Sequence, residues 1–387
     1  MSTNDSSPHP ITTVAVGTLL VGGFIYMAIQ QWTLRQSRQA LEKSHNCSPA
    51  RSVYRPRDPL FALDMIISLL AAARKKRLLE WFGNKHDTYG DTYVVQLLRG
   101  QGIHTIDGEN VKTAFSLRFD DWSAASSRKA FKYFLGRSIF MTDGAEWSHS
   151  RGILRPMFNK DRITDLDLFE AHFQILLTLI PSDGSTIDLY ELFLRYALDV
   201  SSEFLFGESI GSLGNQTVDK AQLGRDIELA IQDAADRARY SLLYPLLKRK
   251  GVDRAVRNVH AATDGYVQKA LARAAEDVKH GKQIDDRKGG YSFLDELARQ
   301  TQDAMKMRDE ATSLIFAGKD TSAGLLGSMW FLLSRHASAW ANLLAEVDQL
   351  QGAPPSYEWI KNAKYLRYCE HEGMSKKQDF FSLLKND

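Results

Sequence analysis

Cysteine is nearly absent. Cys47 and Cys369 are the only two in 387 residues, too few for a disulfide framework and in keeping with a reducing compartment for the bulk of the chain. An excess of either charge is missing as well. Lys and Arg number 49 against 47 Asp and Glu, a formal net charge of +2, so the general electrostatic footprint of a nucleic-acid binder is not there. At 44% hydrophobic, the chain has the material to bury a sizeable core, in one large domain or two.

Charge is locally absent from Ile11 to Ile29, nineteen residues reading ITTVAVGTLLVGGFIYMAI. At about 1.5 Å per residue such a helix nearly spans a hydrocarbon core of roughly 30 Å. Gly17, Gly22 and Gly23 would weaken a soluble helix but are common in membrane ones. Met1 to Pro10 carries no Lys or Arg, unlike the positive start of a cleaved signal peptide. Arg35, Arg38 and Lys43 follow the segment, which predicts the body of the protein on the cytoplasmic side. Tyr26 and Trp32 suit the interface. The expectation is a tail over 1–10, a single membrane anchor over 11–30 and a proline-punctuated linker over 31–59, with Cys47 a free thiol in it.

Leu60 to Phe82 reads as one or two amphipathic helices ending at Gly83. The β-branched runs Thr92 to Leu98 and Ile103 to Ile106 flank Arg99 to Gly102, a hairpin pattern. Glu109 to Phe115 reads as a helix, and His104 as a half-exposed strand residue. Further on, Leu189 to Gly207 reads as a core helix closed by glycine, Lys279 to Gly290 as a charged loop, Tyr291 to Gln302 as an amphipathic segment and Ala337 to Leu350 as another helix.

Proline is missing again from Met305 to Leu333, where apolar residues lie almost all round the helical wheel, as in a helix buried in a large core. Into it the sequence places Gly318, Asp320, Thr321 and Ser322, which weaken a helix interior. A local rule broken inside a core element marks a candidate site. Ala317 and Thr321, four apart, stack on one face, and the Thr321 hydroxyl is placed to bond back to the Ala317 carbonyl, opening a notch. A hydroxyl, an acid and a notch can bind a small polar ligand and relay protons to it. The bland alternative is a packing notch with Lys319 and Asp320 on a solvated edge.

Ala317-Gly318-Lys319-Asp320-Thr321-Ser322 resembles the Ala/Gly-Gly-x-Asp/Glu-Thr-Thr/Ser signature of the cytochrome P-450 family, the haem-thiolate monooxygenases. The resemblance implies that this helix crosses the distal haem face, with Thr321 at bound dioxygen, Asp320 feeding protons, and Ala317 and Gly318 against the cofactor. A second motif runs Asp143-Gly144-Ala145-Glu146-Trp147-Ser148-His149-Ser150-Arg151. Asp143 and Glu146 form a capping-box-like pair, so a helix is expected to begin there, with Trp147 and Arg151 on one face. In the family such a pair lies at the haem edge. A planar guanidinium holds a carboxylate with two hydrogen bonds and the indole N–H adds a donor. Against it stands a packed tryptophan over a surface arginine.

The implied fold is mainly α with a small β-sheet, a P-450-like domain over 60–368 ahead of a divergent tail over 369–387. The implied activity is a membrane-bound, haem-dependent monooxygenase hydroxylating an apolar substrate. An NADPH-dependent reductase and membrane lipid would be its partners, and nucleic acid would not. Its place would be the endoplasmic reticulum, with the domain cytoplasmic. Glu203-Phe204-Leu205-Phe206-Gly207 resembles fungal alkane- and fatty-acid-hydroxylating members. Tyr240 to Leu247, followed by Lys248-Arg249-Lys250, falls where the family has its channel roof; a solvated basic turn is the plain reading. Glu372 stands where the family has the glutamate of Glu-x-x-Arg, but Ser375 replaces the arginine. The family's Phe-x-x-Gly-x-x-x-Cys-x-Gly loop is not found, and neither cysteine has its setting. Without an axial thiolate the electron push that favours O–O cleavage is lost. The second expectation is therefore a truncated, catalytically inactive relative with apolar surface left uncovered. Cys369, His371 and Glu372 match no zinc spacing, and no metal site is expected.

Overall fold

The computed structural model describes residues 10–44, 51–58, 62–75, 77–97, 100–123, 128–158, 166–214, 218–240, 244, 249–280 and 292–383. The chain divides into two compact units, residues 1–111 and 112–387.

The first unit contains α1 (Pro10–Ser44), β1 (Val53–Tyr54), α2 (Leu63–Arg74), α3 (Leu78–Tyr89), β2 (Thr92–Leu97) and β3 (Gly100–Thr105), and closes on the short α4 (Gly108–Lys112). The stretch expected as an anchor lies within α1, where Ile25, Tyr26, Ile29 and Trp32 are exposed. Among the described residues no helix is long and apolar enough to cross a membrane. The hairpin forms with β2 and β3 antiparallel from Thr92↔Thr105 to Leu97↔Gly100. Its second strand thus begins at Gly100, inside the expected turn, and residues 98–99 lie outside the description. A second correction concerns the linker. Val53 and Tyr54 pair in parallel with Val94 and Val95, because a β-branched residue and a tyrosine suit a half-buried pleat. Tyr54 is buried with its ring 5.3 Å from Tyr89. His104 is half-buried and stacked on Tyr93 at 5.1 Å, and burial, then His86, pushes its imidazole down.

The second unit is helical: α5 (Lys132–Leu135), α6 (Gly144–Leu154), α7 (Asp167–Thr178), α8 (Leu189–Phe206), α9 (Val218–Tyr240), α10 (Val252–His280), α11 (Phe293–Gln300), α12 (Ala304–Leu333), α13 (Ala337–Val347), α14 (Tyr357–Asn362) and α15 (Lys364–Leu383). A π-helical turn over Thr113–Leu117 precedes them, just where the helix expected to Phe115 gives way. The thirty residues of α12 make a rod of about 45 Å, and the core forms on it. Phe134, Leu205, Phe206, Met307, Ala311 and Ile315 are buried in one cluster, each of the larger ones contributing about 2 kcal/mol on burial. Phe206 also stacks on Tyr266 at 4.3 Å.

Two helices approach α12 closely enough to require glycine. A Cβ on Gly318 would meet Ser201 Oγ of α8 at 2.8 Å, and one on Gly373 of α15 would meet Met329 at 2.7 Å and Leu325 at 3.3 Å. The glycine-closed helix is α8, capped by the Asp188 carboxylate on the Glu191 N–H and ended at Gly207 with φ 77. The segment expected to lead into α12 is α11, closed at its start by a Ser292–Asp295 capping box. The helix expected over Ala337 to Leu350 is α13, finished by a 3-10 turn over Asp348–Leu350. The backbone runs on in α15 through 369–383, part of the expected divergent tail. Residues 281–291 and most of Tyr240 to Leu247 lie outside the described set. On α7, Phe169, Phe173, Ile175 and Leu177 are exposed, as is Trp330 on α12.

Candidate functional site

The middle of α12, continuous α-helix throughout, carries the run expected to form the notch. Thr321 Oγ1 donates to the Ala317 carbonyl at 2.6 Å, the back-bond that weakens a helix locally and leaves small side chains on that face. Thr321 and Ser322 are exposed and Ala317 is half-buried. Phe316, one residue back, has its ring 5.8 Å from Phe131.

Gly318 has another part. The space a Cβ would fill there is held by Ser201, so its small size serves the α8–α12 crossing. Lys319 is also misplaced by a local reading. It is 4% exposed, with Nζ 2.5 Å from Glu228 Oε2 of α9 and 3.0 Å from Asp320 Oδ1, while the two acids themselves stay partly open to solvent. Burial alone would push its ammonium down, but Asp320 and then Glu228 outweigh that and hold it above the ordinary value. Burial pushes the nearby Tyr190 phenol up to about 12, with Asp320 and Glu228 adding to the rise.

The rim motif sits on α6. The helix begins after Asp143 as the sequence predicts, but Asp143 makes no capping bond to it. Its carboxylate accepts from Arg128 at 2.6 Å and Ser123 at 2.8 Å, while Glu146 bonds Arg137. Two arginines from outside the helix have taken the pair that would have formed the box. Trp147 and Arg151 do share a face, the guanidinium 5.4 Å from the ring centre, and Phe119 covers the indole at 4.9 Å. Arg151 is exposed. Neither its guanidinium nor the Trp147 N–H has a hydrogen-bond partner within the described residues.

The notch and the rim are held in one frame by a buried ionic knot that local sequence patterns do not announce. Lys306 Nζ donates to the Arg137 carbonyl at 2.5 Å and to Ser150 Oγ of α6 at 2.7 Å. It stands 2.9 Å from Glu310 Oε1, which takes no well-aligned hydrogen bond. Asp309 Oδ2 accepts from the Arg137 N–H at 2.8 Å, and Glu310 Oε2 from the Ile139 N–H at 2.9 Å. The knot joins α6 to α12 fifteen residues before Thr321, about 22 Å along the axis. The rim pair and the notch are thus fixed relative to one another without touching through any described contact.

This donor set suits a flat apolar group with carboxylates at one edge. Small residues offer a face, and Trp147 and Arg151 offer a charge-assisted grip. Among the described residues no thiol lies at Ala317–Thr321. Cys369 opens into a cavity of about 360 Å³ with Met329, Leu332, Leu333, His336 and Tyr368, at the far end of α12, where burial, then Glu346, pushes it up. Cys47 lies outside the described residues. Within the described set no group of three or more His, Cys, Asp or Glu is placed to hold a metal ion.

A family model described as Cytochrome P-450 matches residues 56–375. The cytochrome P-450 monooxygenase himC of Aspergillus japonicus is 36% identical over 381 residues, which cover 95% of this chain and 67% of that protein. The cytochrome P-450 monooxygenase fsdH of Fusarium heterosporum is 34% identical over 375 residues, 94% of this chain and 64% of its own. Cytochrome P-450 52A9 of Candida maltosa is 34% identical over 299 residues, 73% of this chain and 56% of that protein. The chain thus spans about two thirds of the length of the first two relatives and little over half of the third.

Proposed function

Because this chain belongs to the cytochrome P-450 family of monooxygenases, we propose that its second unit is the distal half of a haem-dependent hydroxylase for an apolar substrate. The observation that carries the reading is the Thr321 back-bond to Ala317, on a face of small side chains beside the acid Asp320. Haem, when bound, supplies the redox chemistry that splits dioxygen and puts one oxygen atom into a C–H bond. The chain would contribute position and protons. Ala317 gives a flat group access to the helix backbone, and Arg151 with the Trp147 N–H would hold its carboxylates. Thr321 Oγ1 would hold a proton at the reacting side, and the Asp320 carboxylate would take one up from solvent and pass it on.

The substrate belongs to the same proposal. A long-chain alkane or fatty acid is suggested by the aromatic run Glu203-Phe204-Leu205-Phe206-Gly207, and electrons would come from an NADPH-dependent reductase. So does a membrane place, with residues 11–30 as a single anchor in the endoplasmic reticulum and the body cytoplasmic. The charge-free run and the positive residues after it support the anchor. Recovery of a chain lacking residues 1–30 in the membrane pellet, as fully as the whole chain, would remove it.

A second reading is favoured by the place of Cys369. For the 387 residues by themselves we propose no turnover, since the described cysteine faces a cavity beyond the notch. The ferrous–carbon monoxide spectrum of the haem-reconstituted chain decides between the two. The band of a thiolate ligand would restore activity to this chain, and its absence would leave an inactive relative. The rim has its own check. Arg151→Ala should weaken haem uptake by roughly 10- to 100-fold, the worth of a hydrogen-bonded charge of about 1.5–3 kcal/mol, while Arg151→Lys recovers part of it. Equal uptake by all three in a haem titration would remove Arg151 from the site.

A further inference from the structure

The signature Gly-x-Asp leaves its middle position free, and in this chain that position holds a buried charge. Lys319 and Thr321 are two residues apart on α12, about 200° around the axis, so they face opposite sides, with Asp320 between them. Behind Lys319 lies a cavity of about 440 Å³ on the side away from the notch. Glu191 and Arg195 of α8, Arg225, Glu228 and Gln232 of α9, and Ser212 line it with the lysine. The Lys319 ammonium reaches both ways, to Glu228 Oε2 at 2.5 Å and to Asp320 Oδ1 at 3.0 Å. Glu228 is braced in turn by Gln232 at 2.7 Å.

We propose that Lys319 is a positioning residue for Asp320, with Glu228 as its tether. The two together set on which side of α12 the Asp320 carboxylate lies. The inference deepens the haem reading above, since only there does Asp320 handle protons. Geometry argues for it in two ways. A cation this deeply buried is costly unless paired, so Lys319 requires its carboxylates in place. And because Glu228 comes from another helix, the hold on Asp320 depends on how α9 sits against α12, which a helix-local pair would not. The other charged or titratable groups around the trio are Asp188, Tyr190, Glu191 and Arg195 at the α8 side and Arg225 at the α9 side.

The test uses the full chain in detergent with ¹³C-labelled aspartate, following the Asp320 carboxyl through a pH titration by NMR. Lys319→Met removes the cation and leaves two acids facing one another, and should move the Asp320 midpoint up by about one to three pH units relative to the unaltered chain. Glu228→Gln removes a competing anion and should move it down. Lys319→Arg should restore it. A merely structural role would shift both variants the same way as packing loosens, so midpoints that move together, or do not move, overturn the proposal. If Lys319→Met does not fold, Glu228→Gln decides, and a midpoint unchanged or raised in it refutes the sharing of Lys319 between the two acids. None of this needs haem. A chain that takes up no haem would sink the monooxygenase reading and leave the titration standing, while a failed titration would leave that reading intact.

Discussion

Gly136→Ala should lower the melting temperature of the second unit by roughly 8–16 °C. Gly136 has φ 56, in the left-handed half of backbone space where a side chain is strained by about 1–3 kcal/mol. A Cβ built there falls 2.0 Å from Asp309 Oδ2 and 2.1 Å from its carboxyl carbon. Asp309 is 2% exposed and holds the Arg137 N–H, so it cannot swing aside without leaving that donor unpaired. Overpacking adds a further 1–3 kcal/mol or so, about 4 kcal/mol in all, at roughly 2–4 °C per kcal/mol for a unit this large. Gly352→Ala is the matched control. Its φ is 82, yet nothing lies within 4 Å of the built Cβ, so only the backbone part should appear. Circular-dichroism melts of the two variants check this. Equal, small losses would mean that Asp309 gives way freely and that the knot around Lys306 is softer than its distances imply.

The second large effect centres on Asp233, fully buried on α9. Its carboxylate accepts from Tyr133 at 2.6 Å, Tyr244 at 2.5 Å and Arg237 at 2.8 Å, and the Arg237 guanidinium lies 3.6 Å and 4.4 Å from the centres of the two rings. Asp233→Ala leaves a half-buried arginine and two hydroxyls without their shared acceptor and should cost about 3 kcal/mol, the low end for breaking a buried pair. Asp233→Asn should cost less and separates shape from charge. Burial alone would raise the Asp233 pKa, but the bonds from Arg237, Tyr133 and Tyr244 outweigh it and hold the carboxyl below its ordinary 3.8. A depressed carboxyl adds stability that is complete above that ordinary value and is lost as pH falls through the lower folded one. The tyrosines act at the other end. Burial, then the bond to Asp233, pushes Tyr244 up to about 12 from 10.0, and the same causes raise Tyr133 further. That share of stability is complete below pH 10 and fades as pH rises towards 12. Urea midpoints measured against pH should therefore show the unaltered chain leading Asp233→Asn by a constant margin between about pH 5 and 9, narrowing at both ends. A margin that is flat below pH 4 would mean the carboxyl titrates normally.

What the sequence could say about α12 depended on how far each signal reaches. The Thr321–Ala317 bond is four residues long, and the helix-weakening run announced it. Gly318 and Lys319 stand in the same run, yet their partners Ser201 and Glu228 are on other helices, and no local pattern names them. Read locally, one looked like part of the cofactor face and the other like a solvated edge. The α6 start shows the same limit. Asp143 and Glu146 mark where the helix begins, but their carboxylates went to Arg128 and Arg137, whose approach depends on the tertiary fold. In the first unit, Val53 and Tyr54 were hidden among linker prolines because a two-residue strand has too little periodicity to register.

The ammonium of Lys306 donates to a loop carbonyl and a hydroxyl of α6 and lies in ionic contact with an acid of its own helix. Trp147 and Arg151 therefore cannot drift from α12 unless that shared cation is stripped of its contacts inside the core. On the proposed haem reading, the entropy of bringing these two places to a common spacing is met during folding rather than at capture. On that reading a rigid disc of the wrong width would gain little from this chain, since the jaws would be set before anything enters them.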